Sequence, residues 1–292
     1  MSYMDVKKNI MNIIEMRGIY RDNLSLTNNQ SDFIYKIILK ELCGIDTIKI
    51  ALEPNFNLSP ESVNILIQKM KIIIDDYPID YIINKKNFYG NDFYVDENVL
   101  IPRPETEELV DWLIDDHLDI DNKKRVIDLC TGSGCIGISI DISNIYLDVT
   151  ICDISTQALK VCEINKKNLN SSVKIIELDL NLVSKVNQKY DIIISNPPYI
   201  PPSESNRLDK NVKYEPDIAL FTPKNNPLHF YEKILDFASI NLSKNGKIYL
   251  EINPNFIKEF NQLLTNYSIN HVNFRDDFRG KKRLVKLIFK HE

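Results

Sequence analysis

The amino-acid sequence predicts an α/β protein: a doubly wound, parallel sheet that follows a small helical domain. Three observations carry this. From residue 124 onward, short β-branched runs alternate with helical periods. A glycine-spaced stretch, "TGSGCIG", lies between the first of these strands and its helix. Residues 1–84 read instead as capped amphipathic helices, and 85–104 as a β-hairpin and linker, which leaves 105–292 for the sheet domain.

Bulk properties agree with this plan. The chain has 292 residues, about two domains at roughly 150 each. It is 43% apolar and 26% charged, so a sizeable core is available. A formal net charge of −5 argues against a protein that coats nucleic acid, which needs many phosphate contacts. The apolar runs are too short for a membrane span. The N-terminal "MSYMDVKKNIMNIIEMRG" carries charges inside its apolar period, as an amphipathic helix does and a secretory signal does not. Cys43, Cys130, Cys135, Cys152 and Cys162 form no C-x-x-C, which fits free thiols in a reducing cytoplasm. His117, His229, His271 and His291 have no ligand spacing, so no metal site is expected.

The elements follow in order. "SDFIYKIILKELCG" places Phe33, Ile34, Ile37, Ile38 and Leu42 on one helical stripe, with Ser31 or Asp32 as N-cap and Gly44 as C-cap. "SPESVNILIQKMKIII" has Ser59 as cap, Pro60 at the first helical position and Glu61 in the first turn. "NFYGNDFYV" alternates about a Gly-Asn-Asp turn. In "LIPRPETEELVDWLI", Pro102 and Pro104 fix the chain before a helix carrying Leu109, Val110 and Leu113 on one face. Then come strand "RVIDLC", helix "GCIGISIDIS", strand "LDVTICD", helix "TQALKVCEINKKNL", strands "VKIIELDL" and "YDIIIS", helix "HFYEKILDFASIN", strand "GKIYLEI", helix "FIKEFNQLLTN" and strand "RLVKLIFK".

Chemistry concentrates at two strand ends. Gly132, Gly134 and Gly137 satisfy G-x-G-x-x-G, which lets backbone approach a ligand closely. Asp153 ends the next strand, where a carboxylate can accept both hydroxyls of a ribose. This pattern serves dinucleotides and S-adenosylmethionine alike. The second is favoured by Asp179 at the end of the third strand, placed to reach an adenine with Leu180 beside it, and by the lack of a second glycine loop.

The other strand end is "YDIIISNPPYIPP". A planar NH2 group is a poor nucleophile because its lone pair is delocalised, so a site that methylates it must hold it with acceptors. Asn196 offers a side-chain carbonyl, and Pro197 offers a backbone carbonyl with no N–H to compete. Pro198 stiffens the step, and Tyr199 supplies a flat face. Catalysis would rest on alignment and electrostatics rather than on a base.

Asn196-Pro197-Pro198-Tyr199 resembles the N-P-P-Y signature of methyltransferases acting on planar NH2 groups. Together, "NFYG", "LIPRPETEELV", "DLCTGSG", "DISTQAL" and "ISNPPYIP" resemble the bacterial peptide-chain release factor N5-glutamine methyltransferase family, collinear over about residues 84–283. The resemblance implies a Rossmann-like class I methyltransferase sheet. It implies that Cys130, Thr131, Gly132, Ser133, Gly134, Asp153, Asp179 and Leu180, with Asn196, line S-adenosylmethionine and its product S-adenosylhomocysteine. It further implies that Asn196 to Tyr199 hold the glutamine amide in the Gly-Gly-Gln loop of a class I release factor, which the helical domain helps to dock. A cytoplasmic enzyme with no stable nucleic-acid or membrane partner is expected. Cys130 replaces the usual first glycine of the loop, "EINP" stands where the family has Glu-Ile-Gly, "NPLHFYEKI" lacks a glycine before its leucine, and "DFRGKKR" keeps the spacing of D-x-x-G-x-x-R.

Three other readings compete. An adenine-N6 methyltransferase of DNA or RNA would want a target-recognition domain and a basic cleft. A dinucleotide-dependent oxidoreductase leaves N-P-P-Y without a use. A non-catalytic cofactor-binding adaptor leaves the intact acceptor tetrapeptide without one.

Overall fold

In the computed structural model, which describes residues 11–117, 122–144, 146–186 and 188–289, the chain divides into two units. Residues up to Asn84 group with Lys210–Tyr214, and Lys85–Asp209 group with the chain from Glu215 onward. The start of the expected N-terminal helix and His291 lie outside the described residues.

In the first unit, β1 (Met11–Asn12) leads into α1 (Ile13–Asn23), followed by α2 (Asn28–Cys43), α3 (Thr47–Leu52), β2 (Asn57–Leu58), α4 (Pro60–Ile74) and α5 (Ile79–Ile83). β1 and β2 pair antiparallel. Ser59 caps α4 with Pro60 behind it, and Gly44 closes α2 at φ +66°. The expected caps Ser31 and Asp32 are a correction. Thr27 and Gln30 form a capping box that starts α2 earlier, which leaves Ser31 and Asp32 buried inside the helix. The Asp32 carboxylate is taken by Arg17 and Arg21, whose hydrogen bonds hold it well below the usual carboxylate range. The buried stripe is correspondingly rotated to Tyr35, Ile38 and Leu39, and Phe33 is exposed.

The second unit opens with β3 (Lys86–Phe88) and β4 (Asn91–Phe93). The turn falls on Tyr89-Gly90 rather than on Gly-Asn-Asp, because Phe88 pairs with Asn91. Both turn residues have positive φ, 49° and 76°, the geometry that matches strand twist in a two-residue hairpin. Phe88 and Phe93 are fully buried against α6 (Pro104–Asp115), which also buries Leu109, Val110 and Leu113.

Then follow β5 (Lys124–Leu129), α7 (Cys135–Ser143), β6 (Leu147–Asp153), α8 (Thr156–Asn168), β7 (Lys174–Glu177), β8 (Tyr190–Ser195), α9 (Asp217–Leu220), α10 (His229–Asn241), β9 (Leu242–Glu251), α11 (Ile257–Leu264), β10 (Ile269–Asp276) and β11 (Lys282–Phe289). They form a seven-stranded sheet in the order β10-β11-β9-β8-β5-β6-β7. The strands from β9 to β7 are parallel, while β11 runs antiparallel to both neighbours, which corrects the purely parallel expectation. β10 was not foreseen. Most of its residues are exposed, so it lacks an apolar alternation and is held by its pairing with β11.

The three isoleucines of β8 divide between the two faces of the sheet, Ile193 packing on the α10 and α11 side and Ile192 and Ile194 on the α6 and α7 side. The strand order turns back at β5, which has β6 on one flank and β8 on the other. Leu129 pairs with Ser195. Cys130 and Asn196 therefore leave adjacent strand ends, at the switch point where doubly wound sheets bind ligands.

Candidate active site

The loop after β5 is bent by Cys130, Gly132 and Gly134, with φ of 58°, 57° and 81°. Cys130 stands in left-handed conformation where it has a Cβ to accommodate, which is the strain a glycine there would avoid. Three side chains hold the loop, Asp128 and Asn165 buried and Asp153 half-buried. Asp128 accepts from Thr131 Oγ1 and from the Gly137 amide at 3.1 Å. Asn165 of α8 donates to the Ser133 carbonyl and to the Tyr94 carbonyl, each at 2.9 Å. Asp153 Oδ2 accepts the Gly132 amide at 2.9 Å, and its Oδ1 accepts the Ser155 amide at 2.9 Å. Burial raises the Asp128 carboxyl to about 7, and burial also raises Asp153. Asp128 Oδ1 is buried with no hydrogen-bond partner.

β7 ends at Glu177, so Asp179 lies in the loop beyond the strand rather than at its end. There Asp179 Oδ1 accepts both the amide and the side chain of Asn181, at 2.9 Å each.

A cavity of about 320 Å³ opens above these strand ends. That is the size of small-molecule sites. Its wall takes in Cys130 to Ser133, Asp153, Asp179 and Leu180, and, from the other strand end, Asn196 and Pro198. Gly134, Pro197 and Tyr199 are not part of it. Tyr199 packs against the sheet core, with its hydroxyl held from behind.

The residues behind Asn196 form one connected network. Asn196 Nδ2 donates to Thr106 Oγ1 at 3.1 Å, and Thr106 Oγ1 donates to Glu251 Oε2 at 2.6 Å. Tyr199 OH donates to Glu251 Oε1 at 2.9 Å and accepts from Arg283 at 3.4 Å. Glu251 is 1% exposed, and burial raises its carboxyl above the usual range against the pull of Thr106, Arg283 and Tyr199. Asn253 Nδ2 donates to the Tyr199 carbonyl at 3.0 Å, which gives the departure "EINP" a local use.

Two further clamps fasten the "RPETE" segment. Arg103 donates to the buried Glu215 at 2.6 Å, and Glu215 also accepts the Ile101 amide at 3.2 Å. In the turn before β11, Asp277 accepts the amides of Arg279 and Lys281 at 2.9 Å each and Arg283 Nε at 2.8 Å. The same turn meets α6 through Arg279 and Glu105 at 3.1 Å. The spacing D-x-x-G-x-x-R is thus the geometry that delivers Arg283 to Tyr199.

Sequence reasoning missed Asp128, Asn165, Glu215 and Glu251. Asn165, Glu215 and Glu251 have partners far away in sequence, whereas Asp128 bonds to the nearby Thr131 and Gly137. Only Asp128 and Glu251 carried a signal, as charges inside apolar strands. On the cavity wall it also missed Ile218, His229 and Phe230. Among the described residues, no group of three His, Cys, Asp or Glu is placed to hold a metal ion, and no helix is long and apolar enough to cross a membrane. All five cysteines are free.

Residues 110–211 match the family model described as methyltransferase small domain. The chain is similar to the release factor glutamine methyltransferase of Flavobacterium psychrophilum, at 38% identity over 265 residues that cover 88% of this chain and 91% of that protein. The protein of the same name from Leptospira interrogans is 34% identical over 256 residues, 86% of this chain and 89% of that one. A solved methyltransferase from Pyrococcus furiosus matches with a TM-score of 0.52 at 16% identity, over 77% of this chain and 98% of that one, a likeness of fold alone.

Proposed function

The chain belongs to the release factor glutamine methyltransferases, and from that membership we propose that it moves a methyl group from S-adenosylmethionine to the side-chain amide nitrogen of one glutamine, in the Gly-Gly-Gln loop of a class I release factor. The observation that carries this is the meeting of two strand ends: Asn196, an acceptor for an NH2 group, shares one cavity wall with Asp153 and the glycine loop.

The residues fit the cofactor. A Cβ added at Gly132 would meet no heavy atom within 4 Å, so the loop leaves open space beside its backbone. Asp153 keeps acceptor capacity beyond its two amide bonds for a pair of ribose hydroxyls. Asp179 and Leu180 are the candidates for the adenine. When bound, S-adenosylmethionine supplies an electrophilic methyl on a sulfonium sulfur.

The chain's own residues then do the orienting. Asn196 Oδ1 and the Pro197 carbonyl accept the two N–H bonds of the substrate amide and turn its lone pair toward the methyl. Pro198 keeps the step rigid. Tyr199, fixed through Glu251 and Arg283, braces the tetrapeptide from behind. No strong base is needed before transfer, so the rate comes from holding reactants in line. The helical unit is the part proposed to dock the release factor, and the reaction belongs to the cytoplasm, where termination occurs. The adenine-N6 alternative is not favoured by the relatives from Flavobacterium psychrophilum and Leptospira interrogans, which carry the glutamine name.

The test is incubation with labelled S-adenosylmethionine and, separately, release factor, DNA and RNA. Label is expected in the release factor alone, and its loss when the Gly-Gly-Gln glutamine is replaced by glutamate completes the assignment. Label in DNA or RNA alone overturns it.

A further inference from the structure

We propose that Glu251 is a positioning residue that decides which end of the Asn196 carboxamide faces the cavity. The inference rests on the glutamine-methylation reading, because that chemistry needs an oxygen there and not an NH2.

An ionised carboxylate only accepts. Glu251, the last residue of β9, takes the Thr106 hydroxyl on Oε2 and the Tyr199 hydroxyl on Oε1. A hydroxyl has a single proton to give. Thr106 spends its proton on Glu251, so toward Asn196 it acts only as an acceptor, and it receives Nδ2. The Asn196 NH2 is tied back, and Oδ1 is the end left for substrate. Tyr199 is polarised in the same way: its proton goes to Glu251, and its oxygen takes Arg283. One buried carboxylate thus orients two of the four residues of the tetrapeptide.

Glu251→Gln reverses one arm, because an amide accepts on one side only. Arg283 lies 3.9 Å from Oε1, so the glutamine oxygen stays on that side and the NH2 faces Thr106. Thr106 then accepts from the glutamine and turns its own proton toward Asn196. The Asn196 carboxamide turns over to accept that proton and meets the substrate NH2 donor to donor. Thr106→Val breaks the same relay without changing side-chain size, and Thr106→Ser restores it.

The test is steady-state methylation of release factor by the full chain and these variants, with cofactor affinity by calorimetry and melting temperature in parallel. Glu251→Gln and Thr106→Val are each expected to lower kcat by tens-fold or more, comparable to losing one preorganised hydrogen bond. Cofactor affinity and melting should stay near the parent values. Thr106→Ser should recover most of the rate, and the double variant should be little worse than either single one, since both act through one relay. A side-chain amide NMR signal of Asn196 that moves in Glu251→Gln is the readout independent of turnover. Wild-type kcat in Glu251→Gln overturns the inference. So does a Thr106→Ser enzyme as slow as Thr106→Val, or a kcat loss matched by equal losses in cofactor affinity and melting temperature. A parent enzyme that methylates no release factor would instead count against the function, and the NMR comparison would still decide the orientation.

Discussion

Asp153 Oδ2 accepts the Gly132 amide at 2.9 Å, so the carboxylate ending β6 braces the loop that leaves β5. The same group is the candidate partner of the cofactor ribose. Asp153→Ala therefore removes a charge-assisted pair and a loop brace together, a loss of about 1.5–3 kcal/mol for the ligand contact alone. Calorimetry should find S-adenosylmethionine binding weakened by tens-fold or more with the fold intact. Unchanged affinity would take Asp153 out of the site.

The glycines of the loop should separate by readout. A Cβ at Gly137 would stand 2.2 Å from Ile151 Cγ2 and 3.2 Å from Asp128 Oδ2, so Gly137→Ala should destabilise by about 1–3 kcal/mol through overpacking. Gly132→Ala meets open space but is strained at φ +57°, and its methyl would stand where cofactor approaches. Urea unfolding should register Gly137→Ala more strongly. Cofactor titration should register Gly132→Ala more strongly. The opposite ranking would reverse the assigned roles.

Cys130 tests the family departure. At φ +58° a Cβ is disfavoured, so Gly should be more stable than Ala at this position by about 1 kcal/mol, the inverse of the ordinary order. Equilibrium unfolding of Cys130→Gly and Cys130→Ala makes the comparison with the thiol absent from both.

The parallel strands, most helices and both chemical strand ends were legible in the sequence, because β5, β6 and β8 are apolar runs ending in Asp153, Asn196 or a glycine loop. What was not legible depends on partners distant in sequence. Nothing near Asn196 in the chain announces Thr106, 90 residues away, or Glu251, 55 residues away. The Ser31 and Asp32 caps failed because a two-arginine site and an upstream capping box compete for the same stretch. β10 failed because an exposed edge strand needs no apolar period.

Asp128 should give the unliganded protein a recognisable pH response. Burial raises its carboxyl from an ordinary 3.8 to about 7. An acid raised on folding favours the protonated folded state. Its stabilising contribution is full below about pH 4 and is lost as pH rises to about 7. Asp128→Asn should flatten that part of the stability profile. Parallel curves for the two proteins between those pH values would show that Asp128 does not titrate there.

Peptide mass spectrometry of a class I release factor, after reaction with this chain and S-adenosylmethionine, tests glutamine methylation most directly. One added methyl, on the side chain of the Gly-Gly-Gln glutamine and absent when Asn196 is replaced by alanine, is the predicted result. An unmodified glutamine, with N6-methyladenine appearing in nucleic acid offered to the same enzyme, would contradict the account.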